Sequence, residues 1–270
     1  MYHSPKFFRT SLLIDKAKKK WGQHFLADTN LLRKIVKLID PLKSESLLEI
    51  GPGGGALTEL LDPYVKDLIG VEVDKKLFKK LYSRNDLPNS SFLYGDFLKL
   101  DLSTLVFQTS NIRLVGNLPY NISSQIIFHI LEKENFWKDC HFMVQKEVGE
   151  RMAALPGSKT YGRLSVNIQA VASVKTVLKV PAEVFVPKPN VESVLVQIKP
   201  LSNNFLTKAE KNALDKITRL AFGQRRKMLR NSLSSIKINN SILDLSQRPE
   251  MLSISEFRML AKWVALKKNS

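Results

Sequence analysis

Asn117, Leu118, Pro119 and Tyr120 are consecutive, and each suits one task, the alkylation of an aromatic amine. The lone pair of such an amine is delocalised into its ring, so the nitrogen is a poor nucleophile. Two acceptors on its two N–H bonds push the nitrogen toward sp³ and free the lone pair. The Asn117 side-chain oxygen can be one acceptor and the Leu118 carbonyl the other. Pro119 has no N–H and biases Leu118 toward an extended backbone. Tyr120 offers a flat face on which a flipped-out base can stack. Asn and Pro are also ordinary turn residues, so these four take their weight from what surrounds them.

They follow 112–116, an apolar run that predicts a strand. That places them at a strand's carboxyl end, where open α/β sheets bind ligands. Residues 47–50 read as another buried strand, running into Gly51-Pro52-Gly53-Gly54-Gly55 and then a helix over 56–61. Strand, glycine loop and helix form a nucleoside-binding layout, and glycines at Gly51 and Gly53 let backbone come close to a ligand. Pro52 removes a donor that a pyrophosphate would use, and Glu49 argues against a polyanion. A carboxylate beside the loop suits a cofactor with a positive end, such as S-adenosylmethionine. A strand over 67–73 ends at Glu72 and Asp74, about 20 positions past the loop, where an acid can bond ribose hydroxyls. A strand over 91–94 leads to Gly95-Asp96, and Asp96 can accept from an adenine amino group. One ligand can touch all three strand ends.

Asp28 is placed to cap a helix bearing Leu31, Leu32, Ile35, Val36 and Ile39 on one face. Ser123 or Ser124 starts a second helix. Further strands are expected at 141–145, 171–180 and 194–198, with a helix over 146–152. Phe185 opens a proline-stiffened loop, 185–189, and is a second stacking face for a base. Past Pro200 the chain is helical and basic, with capping boxes at Thr207/Glu210 and Ser253/Glu256. Its densest positive cluster, Arg225, Arg226, Lys227 and Arg230, is expected to dock on RNA phosphates. The reading is a basic tail at 1–20, a catalytic domain at 21–200 and a helical RNA-binding domain at 201–270.

The net charge of +17 and pI near 9.9 point to a polyanionic partner, nucleic acid above all. The single cysteine, Cys140, excludes an intrachain disulfide and fits a cytoplasmic protein. The four histidines lack metal-ligand spacing, so no metal is expected. No apolar run reaches membrane-spanning length, and the amino terminus lacks the apolar core of a secretory signal. A monomer is expected.

Taken together these residues resemble the small-subunit rRNA adenine dimethyltransferase family, the KsgA type. The resemblance runs from about Gly22 onward. It is carried by Gly22-Gln23-His24-Phe25-Leu26, Glu49-Ile50-Gly51-Pro52-Gly53, Val71-Glu72-Val73-Asp74, Gly95-Asp96 and Asn117-Leu118-Pro119-Tyr120-Asn121. It continues through Tyr161-Gly162-Arg163-Leu164-Ser165, Pro187-Lys188-Pro189 with Val191 and Ser193, and Gln224-Arg225-Arg226-Lys227. It implies an α/β fold: a Rossmann-like methyltransferase sheet of seven strands, one reversed, with a small helical C-terminal domain. It implies S-adenosylmethionine as methyl donor and dimethylation of the 6-amino groups of two adjacent adenines near the 3′ end of small-subunit rRNA, on naked RNA or the assembling subunit, with a role in ribosome biogenesis. Cofactor contacts then fall on His24, Leu26, Gly51, Glu72, Asp96 and Asn117, and the target adenine among Asn117, Leu118, Tyr120 and Phe185. The family usually has Asn where this chain has His24, so an imidazole replaces an amide there. The expected mechanism is direct in-line transfer with no obligatory general base. The alternatives are a large-subunit rRNA adenine methyltransferase of the macrolide-resistance type and a non-catalytic small-subunit assembly factor. Asn121, the Tyr161–Ser165 motif and the Arg-rich helix favour the small subunit, and the intact tetrapeptide favours catalysis.

Overall fold

The computed structural model describes residues 23–110, 112–132, 137–201, 206–224, 226–236, 238 and 243–267. The basic tail, Gly22 and Arg225 lie outside the described residues.

β1 (Phe25–Leu26) is followed by α1 (Thr29–Ile39), whose first turn is closed by the Asp28 carboxylate accepting from the Leu31 N–H at 2.8 Å. Next come β2 (Ser46–Ile50), α2 (Ala56–Leu61), β3 (Asp67–Glu72), α3 (Lys75–Tyr82) and β4 (Ser90–Tyr94). The chain continues through β5 (Ile112–Asn117), α4 (Ser123–Leu131), β6 (Asp139–Gln145), α5 (Lys146–Met152) and α6 (Arg163–Gln169). It ends with β7 (Ala172–Val180), β8 (Phe185–Val186), β9 (Ser193–Pro200), α7 (Lys208–Gly223), α8 (Leu229–Ser232) and α9 (Ile254–Lys267).

Seven strands form one sheet in the order β4-β3-β2-β5-β6-β9-β7. β4, β3, β2, β5 and β6 are parallel. Lys146 N–H, just past β6, donates to the Glu192 carbonyl just before β9, and Leu201 N–H, just past β9, donates to the Val171 carbonyl just before β7. β9 therefore runs against both neighbours, the one reversed strand of the seven. Every residue of β2 is buried, as in a parallel strand covered on both faces. After β2 the chain builds outward through β3 and β4, then returns to β2's other side as β5. That reversal opens a crevice at the carboxyl ends of β2 and β5. Gly116 lets the two strands close up there, since a Cβ on it would stand 2.5 Å from the Ile50 carbonyl oxygen.

At the opposite end of β5, Arg113 is a buried clamp. Its guanidinium bonds Asp139 at 2.7 and 3.0 Å, Glu45 at 3.0 Å, and the Ile39 and Asp40 carbonyls at the end of α1 at 2.6 and 2.9 Å. The orphan carbonyls of α1 are thus met by a cation, as a helix C-terminus prefers.

The chain divides into two compact units. The first takes the described residues of 1–126, 135–146 and 177–195, the second those of 127–134, 147–176 and 196–270. The second unit is wider than the 201–270 domain drawn from composition. The reason is packing: Tyr161, Val166 and Ala170 share one core with Leu214, Ile217 and Phe257, and the Tyr161 hydroxyl donates to the Leu252 carbonyl at 2.9 Å. The capping box of α7 forms as expected, with Thr207 and Glu210 bonded reciprocally. Arg226, Lys227 and Arg230 are exposed in this unit.

Candidate active site

The crevice of the first unit holds a cavity of about 210 Å³. Its floor is the glycine loop and its walls are the ends of β3, β4 and β5. Gly51 and Gly53 both take positive φ, +67° and +61°, and a Cβ on Gly53 would stand 2.9 Å from the Phe25 ring. The loop is tied down by Glu72, whose carboxylate accepts from the Gly53 N–H at 2.9 Å and the Asp74 N–H at 2.8 Å. Burial pushes the Glu72 carboxyl up, and the two N–H bonds oppose the rise. Asp96 lines the same cavity and accepts from the Leu98 N–H at 3.1 Å.

Asn117 is the last residue of β5 rather than a loop residue, so the strand itself aims it. Its Nδ2 donates to the His24 carbonyl at 2.6 Å. Because that partner is an acceptor, the amide nitrogen must face it, and Oδ1 faces the other way. Oδ1 is buried and has no hydrogen-bond partner. A buried acceptor left bare costs about 1–3 kcal/mol, so one on a residue that lines a cavity calls for a partner. Leu118 and Tyr120 line the cavity beside it. The Tyr120 hydroxyl shares a 2.5 Å hydrogen bond with Ser193 Oγ, which fixes the ring.

His24 stands at the centre of this wall. Its ring stacks on Tyr120 with centroids 5.2 Å apart and planes 25° apart. Its Nδ1 lies 2.8 Å from the Pro187 carbonyl, so Nδ1 carries a proton there. One residue therefore orients the Asn117 amide through its backbone and braces the Tyr120 ring through its side chain. Sequence reasoning placed His24 at the cofactor and missed this second role. The stack joins residues distant in the chain and leaves no local pattern.

Leu26 and Glu49 lie apart from the main cavity and line a smaller one of about 80 Å³ behind it. Phe25, Gly51, Gly53 and Asn117 line both. Glu49 is buried and accepts from the Thr58 hydroxyl at 2.6 Å. Burial pushes its carboxyl up to about 7, the Thr58 bond opposes this, and the nearby Glu72 charge adds to it.

Phe185 requires a correction. It is 2% exposed, pairs in register with Leu26 across the β1–β8 ribbon, and sits in a core cluster with Ile35 and Leu195. Its ring presents no open face to the cavity. The local sequence looked like a loop, but a two-strand pairing turns this residue inward. Tyr120, in contrast, lines the cavity.

The donor set fits S-adenosylmethionine: acids at the ends of β3 and β4, a loop that tolerates no side chain at Gly53, and an unpaired amide oxygen between them. Among the described residues, no helix is long and apolar enough to cross a membrane.

A sequence profile described as ribosomal RNA adenine dimethylase matches residues 14–260. A ribosomal RNA small subunit methyltransferase A from Leptothrix cholodnii is 43% identical over 244 residues, 89% of this chain and 89% of that protein. A dimethyladenosine transferase from Plasmodium falciparum superposes with a TM-score of 0.75 at 28% identity, covering 88% of this chain and 96% of the other. The 23S rRNA methyltransferase ErmE, with a TM-score of 0.69 at 22% identity, covers 89% of this chain and 99% of its own and shares the fold.

Proposed function

Because the chain belongs to the ribosomal RNA adenine dimethylase family, we propose that it dimethylates the 6-amino groups of two adjacent adenines near the 3′ end of small-subunit rRNA. Bound S-adenosylmethionine supplies an electrophilic methyl carbon on a sulfonium. Glu72 and Asp96 would hold its ribose and adenine, with Gly51 and Gly53 close against it and Glu49 and Leu26 behind. The target adenine stacks on Tyr120. In the first transfer its amino group donates one N–H to the Asn117 Oδ1 and the other to the Leu118 carbonyl, and in the second the monomethylated nitrogen keeps one N–H for one of these acceptors; each time the nitrogen lone pair is left free to attack. The methylated nitrogen is cationic and acidic enough to give its proton to water, so the rate comes from position and electrostatics.

The observation that carries this reading is the buried, unpartnered Oδ1 of Asn117, aimed by the His24 carbonyl. The exposed Arg226, Lys227 and Arg230 of the second unit would bind rRNA phosphates. Small-subunit RNA is favoured over large-subunit RNA by the 43% identity to a small-subunit enzyme, against 22% for ErmE. The setting is the cytoplasm, and the partner is small-subunit rRNA, naked or in the assembling small subunit.

Asn117→Ala tests the mechanism. Turnover on unmethylated small subunits should fall by at least about 100-fold, the scale for losing one preorganised polar group. S-adenosylmethionine affinity, read by calorimetry, should change little. Full turnover in the variant would overturn the assignment.

A further inference from the structure

We propose that the outer face of α3 and the edge strand β4 form a second RNA-binding surface. There a single-stranded segment stacks on Tyr82 and Tyr94 while Lys75, Lys76 and Lys79 hold its phosphates. The proposal rests on rRNA being the substrate.

The sequence of α3 is Lys-Lys-Leu-Phe-Lys-Lys-Leu-Tyr. Leu77 and Leu81 are buried, and Leu81 forms a small core with Leu87 and Phe92. That inward face accounts for the helix as a structural element. The outward face is unusual. It carries four lysines and no acid, and the Asp74 cap at its start is itself buried. Lys75, Lys76 and Lys79 are exposed. The neighbouring Arg84, in contrast, is neutralised by Glu59 and Asp86.

Beside the lysines stand three rings. Phe78 lies 5.5 Å from Tyr82 and 5.6 Å from Tyr94, centroid to centroid, at 37° and 44° between planes. Phe78 is half-buried and supports the other two. Tyr82 is 72% exposed and Tyr94 55% exposed. Two open aromatic faces interleaved with the exposed Lys75, Lys76 and Lys79 are what a sequence-tolerant single-strand site needs. A patch of lysines alone would be an ordinary solvated face.

The position fits as well. Val73 immediately precedes the Asp74 cap of α3, and Tyr94 is followed by Gly95 and Asp96; Val73 and Asp96 both line the cavity. RNA that delivers a base to Tyr120 has a flank to accommodate, and this platform borders the cavity on the side of β3 and β4.

The test uses the full chain and two variants, Tyr82→Ala with Tyr94→Ala, and Lys75→Glu with Lys76→Glu and Lys79→Glu. Binding of a labelled single-stranded RNA oligonucleotide is followed by anisotropy across a salt series. Methyl transfer is measured on unmethylated small subunits and on protein-free small-subunit rRNA. The tyrosine variant, which loses two stacking faces, should bind oligonucleotide at least about 30-fold more weakly, with kcat and cofactor affinity unchanged and KM raised. Loss of three phosphate contacts should reduce the slope of log affinity against log salt by about 2 in the lysine variant. Unchanged oligonucleotide affinity in both variants overturns the proposal. So does a raised KM on assembled particles with none on protein-free rRNA, which would assign the surface to a ribosomal protein. A wild-type chain that binds oligonucleotide through this face yet methylates neither substrate would instead overturn the substrate reading.

Discussion

Replacing Glu49 by Gln should abolish a pH-dependent weakness in the fold. Glutamine keeps an oxygen for the Thr58 hydroxyl, so the 2.6 Å bond can survive while the charge does not. The Glu49 carboxyl rises from an ordinary 4.5 to about 7 because it is buried. Between those values the unfolded chain has released this proton and the folded chain has kept it. The folded state therefore binds more protons, and stability falls as pH rises through that window, then levels off above about 7. A difference of that size corresponds to about 3 kcal/mol in full, at 1.36 kcal/mol per pH unit. Roughly 2.5 kcal/mol of it falls between pH 5 and pH 8. Glu72 is raised by burial too and adds a decline of the same sign in the wild type. Urea unfolding followed by circular dichroism at both pH values isolates the Glu49 part. The variant should gain about 2.5 kcal/mol on the wild type in going from pH 5 to pH 8. Two chains with parallel pH profiles would refute the argument. The same group offers a functional readout. A cofactor whose positive end faces Glu49 favours its charged form, so S-adenosylmethionine binding below pH 7 should release protons in the wild type and not in the variant.

Tyr120→Phe keeps the stacking face and loses the bond to Ser193. Methyl transfer should stay within about tenfold of wild type, whereas a drop of several orders would show that the hydroxyl itself takes part. Gly116→Ala drives a methyl against the Ile50 carbonyl at 2.5 Å. It should destabilise by about 3 kcal/mol or more, seen as a lower urea midpoint. Arg113→Ala leaves Asp139 and Glu45 buried without their shared cation. It should cost about 3–5 kcal/mol and leave the cofactor-lining residues unaltered, so cofactor affinity in the folded fraction should match wild type.

Much of the site was legible because its parts are local. A glycine loop after an apolar run, acids at two strand ends and the tetrapeptide at a third are each contained in a few consecutive residues. Their meeting at one edge of the sheet follows too, since parallel strands with helices between them place their carboxyl ends together. What was not legible is pairing across the chain. Nothing near His24 predicts that its carbonyl will face Asn117 or that its ring will lie on Tyr120. Phe185 read as a loop residue because its pairing partner, Leu26, is far away in sequence. The second compact unit takes in residues before 201 for the same reason. The Tyr161–Ser165 motif marks the family but says nothing of its packing, which joins Tyr161 to Phe257 and Leu252 far along the chain.

The β1–β8 ribbon also imposes an order in time. The Asn117 amide is aimed by His24, and His24 is held by Pro187, a partner 163 residues away. A chain made amino end first exposes the glycine loop, both acids and the tetrapeptide while β8 is still unsynthesised. Closing so long a loop is entropically unfavourable until the contacts that reward it exist. The strands whose ends would grip the cofactor, β2, β3 and β4, thus precede in synthesis the segment that holds the acceptor. A chain that stops short of Pro187 lacks the carbonyl that holds the His24 ring, and with it the brace behind the Asn117 acceptor.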